Sequence, residues 1–231
     1  MKKAVVLFSG GIDSTTALYW ARAEYDRVAA LSFDYGQRHK IELAFARKLT
    51  RRLRIPHTTL KIDLRQIGGS ALTSSSITLP RFAAAEEIGP GIPPTYVPFR
   101  NGIFLALAAS WAEANGIPDI ICGFNTIDSP NYPDTRLQFV RAMEKAVNLG
   151  TGMGASGNTI RMIAPFIRLR KSRIIRKGLS LGADYSYSIS CYRGREIPCR
   201  KCSSCLLRQK AWEETGKQDH LLRRLRKEGK I

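Results

Sequence analysis

The sequence predicts an α/β fold, namely a Rossmann-like open parallel sheet with helices on both faces, together with a small C-terminal segment that carries four cysteines. Two observations predict the sheet. Short apolar runs alternate with stretches long enough for a helix, and this alternation requires right-handed crossovers between parallel strands. The first apolar run also passes directly into a glycine turn and a helix, which is where open α/β sheets place their ligands.

The first part of the chain predicts three strands separated by two helices. Residues 4–8 form a continuous apolar run, as expected of a strand buried on both faces. Asp13 and Ser14 can cap the following helix, predicted at 15–24. The next predicted elements are a strand at 28–33, a helix at 40–53 with apolar residues at helical spacing, and a strand at 57–62.

The regular pattern lapses at 68–98, where serine, threonine, glycine and proline dominate, and we expect a mobile functional loop there. Asn101 can then cap an alanine-rich helix. The elements predicted after the loop are a helix at 103–115, a strand at 119–123, a helix at 135–148, a glycine-rich loop at 150–158, a strand at 160–163, and helices at 171–181 and 205–214.

The charge of the chain is strongly basic, with 37 lysines and arginines against 19 acidic residues and a formal net charge of +18. Such a balance suggests a polyanionic partner such as nucleotide, nucleic acid or an acidic membrane. The excess is regional, because residues 161–210 contain 13 basic residues but only Asp184 and Glu196 as acids. The hydrophobic content of 44% is typical of globular proteins and excludes a disordered chain.

No apolar run approaches the roughly 20 residues needed to span a bilayer. The apolar start at 4–8 does not match a signal peptide, because Gly10, Gly11 and Asp13 interrupt it. We therefore expect a cytoplasmic protein without membrane contact.

The string Ser9-Gly10-Gly11-Ile12-Asp13-Ser14 predicts a phosphate-binding loop. Glycines let the backbone approach a ligand closely, and a helix N-terminus offers unpaired N–H groups to a phosphate. The third glycine of the dinucleotide fingerprint is missing, and no Gly-Lys-Ser/Thr follows as in a Walker A loop. The loop therefore belongs to another class of phosphate site.

The cysteines predict a metal site. Cys191, Cys199, Cys202 and Cys205 have the spacing C-x7-C-x2-C-x2-C, whereas Cys122 lies in an apolar strand and is expected in the core. Disulfides are not expected in the cytoplasm, and four thiolates close the tetrahedral shell of a structural zinc ion. An iron–sulfur cluster is the alternative. We divide the chain into an α/β domain at 1–185, which carries the phosphate-binding loop, and a zinc-binding segment at 186–231, which ends in a basic helical tail.

The loop at 9–14 resembles the PP-loop signature of ATP pyrophosphatases, the superfamily of adenylating enzymes that includes the tRNA thiolases. Further strings resemble one family, the 7-cyano-7-deazaguanine synthases (QueC) of queuosine precursor synthesis. They are DYGQRH at 34–39, VPFRN at 97–101, GFNTID at 123–128, YPD at 132–134, SCY at 190–192 and the closing cysteines with Leu207 and Arg208. Thr135 stands where the family often has a cysteine.

This resemblance implies a reaction and its cofactors. ATP would activate 7-carboxy-7-deazaguanine, ammonia would form the amide, and a second ATP-driven dehydration would give the nitrile. The implied cofactors are ATP, Mg²⁺ and Zn²⁺, and the implied assembly is a homodimer. The residues implied to hold the ATP phosphates are Phe8, Ser9, Gly10, Gly11, Ile12, Asp13, Ser14, Thr15, Thr16, Ala17 and Leu18.

The same resemblance guides the other site residues. Asp13 is expected to bind Mg²⁺ beside the phosphates, Lys171 to contact the phosphates, and Arg100 to contact phosphate or nucleotide. The remaining candidates bind the substrate, because they follow predicted strands or match the family strings. They are Tyr35, Gln37, Arg38, His39, Asn101, Asn125, Asp128, Tyr132 and Asp134.

Three alternatives stay open. A PP-loop tRNA-modifying enzyme such as a thiolase would suit the charge and the cysteines, but no RNA-binding domain is recognisable, so nucleic acid is not our expected partner. A non-catalytic zinc module that binds nucleotide is the second alternative. The third is a paralogue that applies the same chemistry to another carboxylate, which Thr135 leaves open.

Overall fold

One parallel sheet organises the computed structural model, which describes residues 1–128 and 131–231. Its strands, in chain order, are β1 (Lys3–Leu7), β2 (Arg27–Asp34), β3 (His57–Lys61), β4 (Asp119–Cys122) and β5 (Arg161–Ile163). Across the sheet they are ordered β3-β2-β1-β4-β5, and every neighbouring pair is parallel. Val5 of β1 aligns with Ala29 of β2 and Ile120 of β4. The predicted open parallel sheet is confirmed.

The helices cover both faces of this sheet. They are α1 (Ile12–Glu24), α2 (Ile41–Leu53), α3 (Arg100–Ala114), α4 (Leu137–Gly150), α5 (Gly152–Ala155), α6 (Lys171–Ser180), α7 (Ser203–Thr215) and α8 (His220–Lys227). Helical turns of the 3₁₀ type lie at Leu64–Gln66, Ala85–Glu87 and Pro133–Thr135. None of the helices in the described ranges has the length and apolar character needed to cross a membrane.

Strand β1 supplies side chains to both apolar layers because successive residues of a strand point to opposite faces. Val6 belongs to the layer formed with α1, α2, α6 and α7, whereas Val5 belongs to the layer formed with α3 and α4. Neither valine is accessible to solvent. Each contributes about 1.5–3 kcal/mol through burial, so the central strand is fixed from both sides.

The predicted caps of α1 are wrong. The helix begins at Ile12, and Gly11 precedes it without a side-chain cap. Ser14 Oγ instead donates to the carbonyl of Gly11 at 3.2 Å. The carboxylate of Asp13 accepts a hydrogen bond from Lys171, 158 residues away, so a tertiary ion pair takes the place of a local cap.

The predicted cap of α3 is also wrong. The helix already begins at Arg100, and the preceding residue, Phe99, has a positive φ of 53°. The backbone N–H of Asn101 is satisfied by Asp134 Oδ2 at 2.9 Å. A carboxylate from a distant turn therefore performs the capping that we expected from Asn101 itself.

Two further boundaries differ from the prediction. Helix α4 starts at Leu137 rather than at residue 135, because Pro133–Thr135 forms a 3₁₀ turn first. The glycine-rich loop contains the short helix α5, in which the backbone N–H of Gly154 donates to Thr151 Oγ1 at 3.3 Å. Residues 68–98 contain the Ala85–Glu87 turn and are otherwise irregular, as expected.

The C-terminal segment packs against the sheet domain at two places. Trp212 of α7 joins the apolar layer of β1 and α1. Leu221 and Leu225 of α8 pack with the cysteines and with Phe45 of α2 in a third apolar cluster. The division of the chain at residue 185 stays a prediction.

His57 makes the stability of this fold depend on pH. Its Nε2 lies 2.7 Å from Ser32 Oγ and its Nδ1 lies 3.2 Å from Thr50 Oγ1. Burial, assisted by the charge of Arg47, lowers the pKa of His57 to about 4, against about 6.5 in an unfolded chain. Between these two pKa values the unfolded chain binds a proton that the folded chain does not. The contribution of neutral His57 to the free energy of unfolding is therefore fully present above pH 6.5 and decreases as the pH falls toward 4.

We therefore expect His57→Gln to flatten the loss of unfolding free energy between pH 7 and pH 5. Urea unfolding of both proteins at the two pH values measures the difference. Each protein is compared with itself at the two pH values, so a difference in overall stability between the variant and the unaltered protein does not affect the result. An identical pH dependence in the two proteins would contradict the role of His57.

Candidate functional site

A cavity of about 300 Å³ lies at the carboxyl edge of the sheet, where β1 and β4 end side by side. The strand order reverses at this point, and the loops after the two strands turn apart to leave a crevice. The cavity is lined by parts of the loops at 8–14, 35–39 and 123–125, the first turns of α3 and α6, and the cysteine segment at 189–192.

The phosphate loop occupies one side of this cavity. Gly10 has a φ of +79°, and a Cβ there would lie 3.0 Å from the carbonyl oxygen of Glu42. Ser9 Oγ and Ser14 Oγ lie 3.1 Å apart, and both residues line the cavity. Because α1 begins at Ile12, its unpaired N–H groups lie at the cavity wall, an arrangement suited to an anion.

The predicted ATP residues fall into two groups. The cavity-lining members are Phe8, Ser9, Gly11, Ile12, Asp13 and Ser14. Gly10 shapes the turn, whereas Thr15, Thr16, Ala17 and Leu18 are fully buried in α1. Thr16 bonds to the hydroxyl of Tyr185 at 2.6 Å, which anchors α1 to the core.

Gly123 brings the end of β4 against the start of α1. A Cβ on Gly123 would lie 2.8 Å from the carbonyl carbon of Asp13 and from the backbone nitrogen of Ser14. Real Cβ atoms essentially never come this close, so any larger residue must displace the backbone of the phosphate loop.

We expect Gly123→Ala to weaken ATP binding about tenfold, since small displacements of a binding group are costly. Isothermal titration calorimetry with Mg-ATP measures this. Gly89→Ala is the matched control, because a Cβ there meets nothing within 4 Å. Equal ATP affinity in both variants would contradict the steric argument.

Asp13 and Lys171 form an ion pair between the phosphate loop and α6. Lys171 Nζ donates to Asp13 Oδ2 at 2.5 Å, and the two side chains are 14% and 21% exposed. Asp13 Oδ1 is buried and has no partner within the described ranges. The backbone N–H of Lys171 donates to Asp128 Oδ2 at 2.5 Å, which fixes the start of α6. The structure thus brings two of the three predicted catalytic residues together.

Arg100, the third predicted catalytic residue, lines the same cavity from the first turn of α3. It donates to the hydroxyl of Tyr35 at 3.4 Å, while its Nε is buried without a partner in the described part of the chain. Burial raises the pKa of Tyr35 to about 12, so its phenol stays protonated. Arg100 therefore offers a permanent positive charge with one donor free for an anionic ligand.

The residues after β4 form a compact turn. Asn125 Oδ1 accepts the backbone N–H of Ile127 at 2.8 Å, and Asn125 Nδ2 donates to Asp128 Oδ2 at 3.1 Å. Asn125 lines the cavity, whereas Asp128 supports it from behind through its bond to Lys171. Ser129 and Pro130 lie outside the described residues.

Some of the remaining residues predicted to bind the substrate line the cavity, and others hold the lining residues in place. Tyr132 lines the cavity, and its hydroxyl lies 3.1 Å from Thr95 Oγ1. Thr135 and Asn101 line it as well, but Asp134 does not and holds Asn101 by its backbone.

The loop after β2 places two predicted residues on the cavity wall, Tyr35 and His39. Gln37 is buried and braces the loop by accepting the N–H of Tyr35 at 2.8 Å. Arg38 donates to the carbonyl of Ala71 at 3.4 Å and does not line the cavity. Sequence reasoning missed Glu42, which lines the cavity one helical turn after His39; that spacing was the available signal.

Four cysteines form a candidate metal centre beside this cavity. The Sγ atoms of Cys191, Cys199, Cys202 and Cys205 all lie within 4.8 Å of one another. Zinc–sulfur bonds of about 2.3 Å place tetrahedral thiolates about 3.8 Å apart, and the Cys199 and Cys205 sulfurs are 3.9 Å apart. The cluster therefore fits a tetrahedral metal ion. Cys122 stands apart in β4, where burial raises its pKa.

The cysteine segment is bonded to the phosphate loop. The backbone N–H of Ile189 donates to the carbonyl of Gly10 at 3.1 Å, and Ile189, Ser190 and Tyr192 line the cavity. The metal centre and the anion site therefore share one stretch of backbone.

Part of the basic excess has acidic partners in this region. Arg208 forms a buried ion pair with Asp219, and Arg224 pairs with Glu196 and Glu228. The guanidinium of Arg224 also lies over the rings of Phe45 and Tyr187. These contacts give some of the charge around the cysteines a structural use that needs no polyanion.

Comparison with known proteins gives three findings. The sequence model of a family described as "Queuosine biosynthesis protein QueC" matches residues 3–216. A 7-cyano-7-deazaguanine synthase of Leptospira interrogans (strain Fiocruz L1-130) is 46% identical over 93% of this chain and 88% of its own length. One of Methylococcus capsulatus is 47% identical over 95% and 97%, respectively.

Among solved structures, a 4-thiouridine synthetase crystallised with RNA and bound ATP is similar in fold. It superposes with a TM-score of 0.52 at 21% identity, covering 93% of this chain and 50% of that chain. At this identity the likeness concerns the fold alone.

Proposed function

This chain belongs to the QueC family of queuosine biosynthesis proteins, and we propose that it converts 7-carboxy-7-deazaguanine and ammonia into 7-cyano-7-deazaguanine with ATP. One observation carries the proposal beyond family membership. The phosphate loop, the Asp13–Lys171 pair and Arg100 line a single cavity, so a nucleotide and an anionic substrate can meet there.

The chemistry requires activation of oxygen twice. A carboxylate is a poor electrophile because oxide is a poor leaving group, and adenylation converts that oxygen into part of AMP. Ammonia can then form the amide, whose oxygen is activated in the same way before the nitrile forms. Both activations use the same phosphate site, which agrees with the presence of one phosphate loop in the cavity wall.

The three residues predicted to be catalytic each have a place in this proposal. The loop at 9–14 binds the phosphates, Lys171 neutralises the pyrophosphate that leaves, and Arg100 orients the carboxylate of the substrate. The free Oδ1 of Asp13 suits Mg²⁺, which prefers carboxylate and phosphate oxygens. When bound, Mg²⁺ neutralises charge on the phosphates.

The substrate contacts are assigned by position on the wall. Asn125 forms hydrogen bonds with the polar edge of the deazapurine, and Tyr132 stacks on its ring. The residues that support the wall from behind are Gln37, Arg38, Asp128 and Asp134. Zn²⁺ on the four cysteines holds the 189–192 wall in place, and its closed shell leaves no open position for chemistry.

One incubation tests the function. Purified protein is mixed with Mg-ATP, ammonia and 7-carboxy-7-deazaguanine, and the products are followed by mass spectrometry. We expect the nitrile, the amide as an intermediate, and AMP, with none of them formed when ATP is omitted. ATP consumption without nitrile would favour a paralogue acting on another acid.

We also propose a homodimer in the cytoplasm. Cysteines used as metal ligands rather than in disulfides are typical of a reducing compartment. Phe99 is 52% exposed beside Phe139, which leaves aromatic surface for a second copy. Light scattering should give twice the mass of the 25.8 kDa chain, and a monomer would contradict the assembly.

A further inference from the structure

The proposed reaction needs a base that the residues assigned so far do not supply. On the way from ammonia to a nitrile, the nitrogen loses every one of its protons. The attacking nitrogen loses one when the amide forms, and the amide nitrogen loses the rest when the second AMP leaves. A group at the cavity wall must accept protons from this nitrogen near neutral pH.

Most titratable residues of the described cavity wall are unsuited to this task. Arg100 and Arg208 remain protonated, and the Nζ atom of Lys171 is engaged by Asp13 at 2.5 Å. Burial raises the pKa of Tyr35 and of Tyr192, so these phenols also keep their protons. Asp13 is paired with Lys171 and Tyr132 is assigned to the substrate ring, so His39 and its neighbour Glu42 are the titratable residues of the described wall left without a role.

His39 and Glu42 form a dyad of neighbouring side chains at the cavity wall. His39 Nε2 lies 3.4 Å from Glu42 Oε2, and the two side chains are 9% and 12% exposed. The other oxygen of the carboxylate accepts from Gln37 Nε2 at 3.1 Å. Glu42 is therefore held on one oxygen by Gln37 and turns the other toward Nε2, which favours the imidazole with its proton on Nε2.

The second ring nitrogen is left without a partner. His39 Nδ1 is buried and forms no hydrogen bond in the part of the chain that the structure describes. With the proton on Nε2, Nδ1 carries a free lone pair, and leaving such a buried acceptor unpaired costs free energy. A donor supplied by the ligand would satisfy it.

We propose that His39 is the general base of the reaction and that Glu42 positions the imidazole and stabilises its protonated form. This role rests on the proposed function. In the first dehydration the C–N bond forms, the carbon–oxygen bond to AMP breaks, AMP leaves with that electron pair, and a proton of the nitrogen passes to Nδ1. In the second, the carbon–oxygen bond of the adenylated amide breaks, AMP leaves with that electron pair, one of the two remaining N–H protons passes to Nδ1, and the other leaves on the AMP phosphate.

Adenylation of the acid requires no proton acceptor, so the two halves of the reaction can be separated. We expect His39→Asn to keep acid-dependent exchange of pyrophosphate into ATP within about threefold, while nitrile formation falls about 100-fold or more. Retained exchange also shows that the variant is folded. Glu24→Gln, an exposed change at the end of α1, serves as the control.

Glu42→Gln tests the positioning role independently. The amide keeps the shape of Glu42 but removes the negative charge that stabilises an imidazolium. The titratable groups facing the imidazole are Glu42 of α2, Tyr35 after β2 and Tyr192 of the cysteine segment. We expect kcat to fall about tenfold at pH 7 with an unchanged KM for the acid, and the acidic limb of the kcat–pH profile to move to lower pH.

The outcomes separate the two proposals. Loss of exchange in parallel with nitrile formation would make His39 a binding residue, and unchanged nitrile formation would leave it without a role. Either result would contradict the role of His39 as the general base. If the kcat–pH profile of Glu42→Gln is not shifted, Glu42 does not stabilise the protonated imidazole of His39. If the unaltered protein makes no nitrile, the proposed function itself fails, and the base falls with it.

Discussion

Replacing Asp13 by alanine is expected to reduce ATP-dependent turnover about 100- to 1,000-fold, the range observed when one group that stabilises transition-state charge is removed. The variant loses the carboxylate that pairs with Lys171 and the free oxygen that faces the phosphate site. Lys171 then has no fixed position, because its 2.5 Å contact holds it at the loop.

The fold should survive this change. The side chains of Lys171 and Asp13 are only 14% and 21% exposed, so the variant leaves Lys171 without its partner in a mostly buried position and loses about 3 kcal/mol of stability, which is less than the total stability of a typical domain. Nitrile formation and thermal unfolding are measured side by side. Asp26→Ala is the matched control, since Asp26 is exposed and bonds to Lys2 near the opposite edge of the sheet. Full turnover in Asp13→Ala would remove Asp13 from the site.

Cys202→Ser is expected to have the largest effect on stability. One of four ligands is lost at a site where Cys202 is 3% exposed and packs with Leu221 and Leu225 of α8. Loss of a structural metal belongs among the most damaging changes, at about 4 kcal/mol. For a chain of this length that lowers Tm by roughly 10 °C.

Metal content and Tm are measured on protein purified without oxygen. We expect about one zinc ion per chain in the unaltered protein and much less in Cys202→Ser. Cys122→Ala is the control, because it removes a buried cysteine outside the cluster and should leave the zinc in place. Iron and sulfide in the unaltered protein would contradict zinc, and a zinc-free variant with full stability would contradict a structural metal.

Local patterns predicted most of the architecture because a strand buried on both faces appears in the sequence as a continuous apolar run, whichever strands it pairs with. The apolar run at β1, the glycine turn after it and the spacing of the four cysteines each follow from short stretches of sequence. The cysteine spacing brings four sulfurs within 4.8 Å of one another because two short steps between ligands leave little freedom.

What the sequence did not reveal depends on distant contacts. Asp13 was expected as a cap and is instead held by Lys171, and the expected cap Asn101 is itself capped by Asp134. Helix α8 was foreseen only as a basic helical tail, because its two buried leucines acquire meaning only against the cysteines and Phe45. Glu42 was overlooked because its partners, His39 and Gln37, form a dyad only once the loop is folded.

The hydrogen bond from Ile189 to Gly10 makes metal retention and nucleotide affinity parts of one thermodynamic cycle. If zinc orders the segment that holds the phosphate loop and so strengthens ATP binding, then ATP must in return strengthen zinc binding by the same free energy. A shortage of zinc would then weaken the binding of ATP, and abundant ATP would help the protein to keep its zinc against a chelator.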